Sequence, residues 1–117
     1  AGVKKDKIYI DAIIEAISTS DNGALTALDT IRGIKAADPE LKTVCGLSNV
    51  SFGLPKRASL NAAFLSMAVL YGLDAAIIDV LPNKNGESIL QTLYAAKALA
   101  GRDEYCMDYI TYIRSLQ

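Results

Sequence analysis

The residues best suited to chemistry lie in one stretch, Thr43-Val44-Cys45-Gly46-Leu47-Ser48-Asn49-Val50-Ser51-Phe52-Gly53. Thr43, Val44 and Cys45 suit a short buried strand, and Gly46 allows a close backbone approach before a run of small polar side chains. Such a run delivers hydrogen-bonding groups to the end of a strand. Asn49 brings an uncharged carboxamide that both donates and accepts, Ser48 and Ser51 bring hydroxyls, and the cations Lys56 and Arg57 follow. Two carboxylates, Asp11 and Asp79, each come at the end of another apolar run. Each of these residues also has a plain structural reading. Asn49 would tolerate a left-handed turn, the serines would satisfy loop backbone, Arg57 would be a surface cation, and Asp11 would cap a turn. By composition alone the turn reading of Asn49 is the stronger.

These groups need strands to present them. Ile8-Tyr9-Ile10 alternates with β propensity and ends at Asp11; the next strand begins near Thr43; Ala75 to Val80 is a nearly continuous apolar run suited to a parallel strand covered on both faces. Between them the period is helical. From Ala24, Leu28, Ile31 and Ile34 fall on one side, Arg32 and Lys35 fall on the wet side or near the C-terminus, and Asp38-Pro39 ends the helix. A second helix is expected with Ser59 as its cap and Leu60, Phe64, Met67 and Tyr71 as its buried stripe, stopped by Gly72. Pro82 to Glu87 reads as a turn centred on Asn85-Gly86, followed by a helix from Ser88 to Ala100. A closing helix from about Asp103 has Cys106, Tyr109, Ile110 and Ile113 on its apolar side and Tyr105 and Tyr112 at its edges. Ile13 to Ile17 fits either an extension of the first strand or a helical turn. Three strand-helix units in this order mean a parallel sheet with right-handed crossovers, whose strand C-terminal ends gather ligands.

The composition narrows the partners. A chain of 117 residues with 51% hydrophobic and 21% charged residues can bury a core and is no disordered tail. Its formal charge of -1, with the cations scattered among acids, gives no basic face for nucleic acid or anionic lipid. No apolar run approaches a membrane span. Cys45 and Cys106 lack any metal-ligand spacing, so no metal site is expected, and two buried thiols in a reducing cytoplasm are the simple reading. The absence of histidine removes Ser-His and Cys-His nucleophile activation.

Three segments carry a resemblance. Gly46-Leu47-Ser48-Asn49-Val50-Ser51, then Leu54-Pro55, Arg57 and Leu60-Asn61, and finally Gly72-Leu73-Asp74-Ala75-Ala76-Ile77-Ile78-Asp79 resemble the pterin-binding methyltransferase family. Its members include methyltetrahydrofolate:corrinoid methyltransferases and the folate module of cobalamin-dependent methionine synthase. The match runs in order and without gaps across two strand-helix units, with weaker similarity from Lys7 to Lys35 and toward the C-terminus. Dihydropteroate synthase, on the same fold, carries Gly-x-Ser-Arg-Lys-Ser at this strand, and here Asn49 and Val50 replace that Arg-Lys pair.

The resemblance implies a fold, a reaction and a set of roles. The fold is α/β, a partial (β/α)8 TIM-type barrel spanning residues 1–117 as its last three strand-helix units plus a closing helix. A whole barrel takes about 250 residues, so the chain is expected to be a fragment of a longer enzyme. The reaction implied is transfer of a methyl group from N5 of methyltetrahydrofolate to the Co(I) of a corrinoid on a partner protein, since this chain has no histidine to offer the cobalt. In the family the asparagine matching Asn49 contacts the N5 region, an arginine matching Arg57 lies near the outer part of the folate, and the strand matching Tyr9–Asp11 ends in aspartate, usually before a proline that is Ala12 here. Asn49 is therefore the catalytic candidate; Asp11, Ser51 and Arg57 are the substrate-binding candidates. The family's other pterin contacts come from earlier strands. Two alternatives stand beside this reading. One is a non-catalytic partial barrel that binds a pterin, a complementary chain or a second copy as a homodimer; the other is a corrinoid methyltransferase with a different methyl donor.

Overall fold

The computed structural model describes residues 2–81 and 88–116. Three strands, β1 (Tyr9–Asp11), β2 (Lys42–Gly46) and β3 (Ala75–Ile77), form a parallel sheet in the order β1-β2-β3. The register pairs Ile10 with Thr43 and Cys45 with Ala76, so these four share one face. Tyr9, Asp11, Val44, Gly46, Ala75 and Ile77 share the other. Three helices cover the first face only: α1 (Gly23–Ala37), α2 (Arg57–Tyr71) and α3 (Ile89–Leu99), with α2 packed between the other two. Right-handed crossovers between strands laid down in one direction place every helix on one side. The result is a singly wound α/β unit that fits part of a barrel.

The core lies under that covered face. Thr43 and Cys45 of β2 are wholly buried against Leu28 and Ile31 of α1 and Phe64, Leu65, Ala68 and Val69 of α2. The opposite face is open, with Tyr9 56% and Ile77 71% exposed. The sheet is thus one-sided, and the expected double coverage of the third strand is not met. That strand is also shorter than Ala75 to Val80, because its partner β2 ends at Gly46, opposite Ile77, and leaves nothing further to pair.

Several local expectations are corrected by packing. Helix α2 starts at Arg57, two residues before Ser59, with Lys56 in the left-handed region at φ 54° closing the preceding loop. Its buried stripe is Phe64, Leu65, Ala68 and Val69; Met67 is 43% exposed and Tyr71 lies at the rim, where the Arg32 guanidinium stacks 3.9 Å above its ring. The helix is apolar nearly all round, so periodicity could not choose between faces; the sheet and the two flanking helices did. Gly72, at φ 114°, ends it as expected, its N–H and that of Leu73 both donating to the Ala68 carbonyl. Residues 12–16 extend neither strand nor helix, although the Ala12 N–H donates to the Val44 carbonyl at 2.9 Å, a bond that a proline there would forgo.

Toward the C-terminus, Ser88 caps α3 by accepting from the Leu90 N–H at 3.2 Å, as its sequence position suggests. The turn at Pro82 to Glu87 lies outside the described residues. Helix α4 (Met107–Ser115) is capped by Asp103, which accepts from the N–H groups of Asp108 at 3.0 Å and Tyr109 at 2.9 Å. Tyr105 and Cys106 occupy left-handed conformations in the intervening turn. Cys106 therefore precedes the helix and is exposed, so only Cys45 is the buried thiol expected of both. Tyr94 and Tyr112 stack at 4.5 Å on the α3–α4 seam, the structural use expected for amphipathic tyrosines, while Tyr105 is 85% exposed.

At the N-terminal ends of the strands, Asp74 ties the layers together. Its Oδ2 accepts from the Thr43 N–H at 2.9 Å and the Lys35 ammonium at 3.0 Å, and Arg102 approaches Oδ1 at 3.7 Å. Lys35 is thus turned inward, also donating to the Leu41 carbonyl at 2.9 Å, and does not extend into water from the helix end. Burial alone would raise the Asp74 carboxyl, but the Thr43 N–H and the Lys35 ammonium together hold it below its ordinary value.

Candidate functional site

At its C-terminal end β2 runs into a 3-10 turn, Leu47–Ser51. Leu47 and Val50 are buried anchors, so the residues between them, Ser48 and Asn49, face outward. Asn49 has an ordinary backbone conformation: Lys56, Tyr105 and Cys106 are the positive-φ residues other than glycine among those described. The left-handed-turn explanation of this asparagine therefore fails. Its carboxamide lies over Gly46, where an added Cβ would meet Nδ2 at 3.5 Å, and it has no hydrogen-bond partner among the described residues. Among the described residues, nothing takes up its donor or its acceptor.

Hydrogen bonds hold the turn from two sides. The loop after β1 supplies the Ile17 N–H to the Val50 carbonyl at 3.1 Å and the Ser18 hydroxyl to the Phe52 carbonyl at 2.8 Å. On the other side, Arg57, the first residue of α2, folds its guanidinium back onto the turn. Its Nη2 donates to the Ser48 carbonyl at 2.7 Å and its Nε to Ser51 Oγ at 3.0 Å. Arg57 is thus more than a solvated surface cation, and a planar fork suits this two-point attachment. Ser51 is wholly buried and donates to Asn61 Oδ1 at 2.7 Å. Its hydroxyl is spent inside the protein. The sequence alone gives Asn61 no role; the signal it does carry is the spacing four residues after Arg57, which puts both on one side of α2.

The two aspartates differ. Asp11 is exposed at the end of β1, paired in register with Val44 and so on the open face of the sheet. Asp79 lies two residues beyond β3 and accepts the Leu81 N–H at 3.0 Å, a turn-forming contact. It also lines a cleft of about 230 Å³ together with Leu47, Ser48, Asn61, Ile78 and Thr92. Asn49, Asp11, Ser51 and Arg57 are not among the residues lining that cleft. Because the strands are parallel, Asp11, Asn49 and Asp79 all come to the C-terminal end of the sheet. Beneath them the Cys45 thiol, buried and near the Asp11 charge, is pushed up to about 11 and is chemically inert at neutral pH.

No protein-family model matches the chain. It is 33% identical over 104 residues to a methylcorrinoid:tetrahydrofolate methyltransferase from Eubacterium limosum, an alignment that covers 89% of this chain and 37% of that protein. It is 34% identical over 107 residues to a methionine synthase from Mycobacterium leprae, covering 80% of this chain and 9% of the synthase. A methionine synthase from Mycobacterium tuberculosis is 37% identical over 83 residues, 66% of this chain and 7% of that protein. The chain therefore spans little more than a third of the first relative's length and under a tenth of either synthase's. Similarity to both kinds of protein along most of its length shows that the chain belongs to the folate/corrinoid methyltransferase family.

Proposed function

We propose that residues 1–117 are the C-terminal part of a pterin-binding (β/α) barrel that, when complete, moves a methyl group between N5 of methyltetrahydrofolate and the cobalt of a protein-bound corrinoid. The forward direction is from folate to Co(I). The name of the Eubacterium limosum relative is written in the opposite sense, from methylcorrinoid to tetrahydrofolate, and one transition state serves both directions. The corrinoid, carried by a partner protein in the cytoplasm, supplies the cobalt that exchanges the methyl group. The open face of the sheet and its outer strand edges suit coverage by the remaining strands of the barrel, and the outer surface is left for pairing with a second copy as a homodimer.

The observation that carries this reading is Asn49: an exposed carboxamide in relaxed backbone, uncommitted among the described residues, at the end of the central strand. A tertiary amine is a poor leaving group, so breaking the carbon–nitrogen bond requires hydrogen-bond donation or a proton at N5. A carboxamide can stay bonded to N5 as its protonation changes, because it offers a donor and an acceptor. Stabilisation that grows toward the transition state is what accelerates the step. Arg57, held by the turn, has further N–H groups for a carboxylate of the folate tail; Asp11 faces the aminopyrimidine edge; Ser51 serves the site through Arg57.

The test is a calorimetric titration of methyltetrahydrofolate into the product of the full reading frame that contains this chain, with Asn49→Ala alongside. Saturable binding is expected. Asn49→Ala should lower methyl transfer by on the order of 10²–10³, as for loss of one transition-state donor, while Tm stays within about 2 °C because an exposed side chain is removed. Equal loss of activity and stability would refute the catalytic role, and absence of binding would redirect the reading to another methyl donor or to a non-catalytic barrel.

A further inference from the structure

The turn that carries Asn49 is held through a relay whose direction depends on one side chain. Ser51 Oγ has a single proton and two acceptors within reach, Asn61 Oδ1 at 2.7 Å and the Ser48 carbonyl at 3.2 Å. The shorter contact takes the proton. A lone pair of Oγ is then left to accept Arg57 Nε at 3.0 Å, and the Ser48 carbonyl is left to Arg57 Nη2 at 2.7 Å. Without the acceptor at position 61, the hydroxyl proton has only the Ser48 carbonyl, a longer contact at 3.2 Å to an oxygen that already accepts Nη2, so Ser51 Oγ must turn away from the orientation in which it receives Arg57 Nε. Ser51 is wholly buried, so water cannot take over the missing bond.

We propose that Asn61 is a positioning residue for the folate site: by orienting the Ser51 O–H it locks the Arg57 guanidinium onto the Leu47–Ser51 turn and so fixes how Arg57 and Asn49 are presented to substrate. This inference rests on the folate reading of the site. Asn61 itself does not touch the reacting atoms. Its effect is transmitted by three hydrogen bonds in series, from Asn61 of α2 to Ser51 in the turn, from Ser51 to Arg57 at the start of α2, and from Arg57 to the Ser48 carbonyl in the turn. A carboxylate at position 61 would keep the acceptor, whereas an aliphatic side chain of similar size would remove it.

The experiment uses the full reading-frame protein labelled with ¹⁵N-arginine, unsubstituted and as Asn61→Leu and Asn61→Asp. It reads the water-exchange rate of the Arg57 Nε–H signal, the Kd for methyltetrahydrofolate, and kcat and KM for methyl transfer. Asn61→Leu should speed Nε–H exchange at least tenfold and weaken methyltetrahydrofolate binding roughly tenfold, the effect of about one hydrogen bond to a charged group. Asn61→Asp should return both to within about threefold of the parent. If Asn61→Leu does not fold, Ser51→Ala breaks the same relay from its other end. Unchanged Nε–H exchange in Asn61→Leu overturns the relay whatever happens to folate. Faster exchange with Kd, kcat and KM all unmoved overturns its service to the site. A parent that shows the expected Nε–H behaviour but binds no methyltetrahydrofolate upholds the relay and overturns the folate reading.

Discussion

Replacing Asp74 tests whether the N-terminal ends of the strands are held by charge or by shape. In the native fold its Oδ2 accepts a backbone N–H from Thr43 at 2.9 Å and the Lys35 ammonium at 3.0 Å, with side chains only 14% and 22% exposed for Asp74 and Lys35. Asp74→Ala leaves the Thr43 N–H unpaired at a part-buried position, which costs about 1.5–3 kcal/mol. Lys35 keeps the Leu41 and Pro39 carbonyls, so loss of its ion pair adds only about 0.5–1 kcal/mol. The total is about 2–4 kcal/mol, a large share of the roughly 5–15 kcal/mol that stabilises a domain. Asp74→Asn keeps an acceptor for Thr43 and should cost about half as much. The carboxyl is held below its ordinary 3.8, so its contribution is complete above pH 3.8 and is lost as pH falls through the lower folded value. Urea denaturation of the full reading-frame protein and both variants, at pH 7 and near pH 3, measures this. Equal cost for the two substitutions at pH 7, or a gap between parent and Asp74→Ala that is as wide at pH 3, would refute the electrostatic account. Methyltetrahydrofolate affinity should not change, because Asp74 lies at the opposite end of the sheet from Asn49.

Two further measurements follow from packing. A Cβ at Gly23 would lie 2.6 Å from the Glu15 carbonyl oxygen, so Gly23→Ala should destabilise by about 1–3 kcal/mol, whereas Gly33→Ala meets nothing within 4 Å in mid-helix and should stabilise by about 1 kcal/mol; opposite shifts in Tm are the expected result. Of the two thiols, exposed Cys106 should react with a disulfide dye in the native protein and buried Cys45 only after unfolding. Because the Cys45 thiol is pushed from 9.0 to about 11, stability is whole below pH 9 and falls by about 2–3 kcal/mol as pH rises toward 11, a decline that Cys45→Ala should remove.

Much of the architecture is legible in the sequence. Alternating strand and helix patterns, Gly72 and the Asp38-Pro39 stop marked out a parallel α/β unit, and the polar run after Cys45 fell at the strand end that presents ligands. These are local properties: propensity, capping and period act within a few residues. What lay beyond local reading depended on who packs against whom. An almost wholly apolar α2 could not declare its inner face, Lys35 gave no sign that it turns back to Asp74, and β3 was shortened by where β2 stops. At the site, the sequence by itself determined the kinds of group on offer, Asn49, Ser51, Arg57 and Asp11, since side-chain chemistry is written residue by residue. Only the tertiary structure decided their employment, because hydrogen bonds are assigned by distance in space: Ser51 is consumed by Asn61 and Arg57, Arg57 is fastened to the turn, and among the described residues the Asn49 carboxamide has no partner.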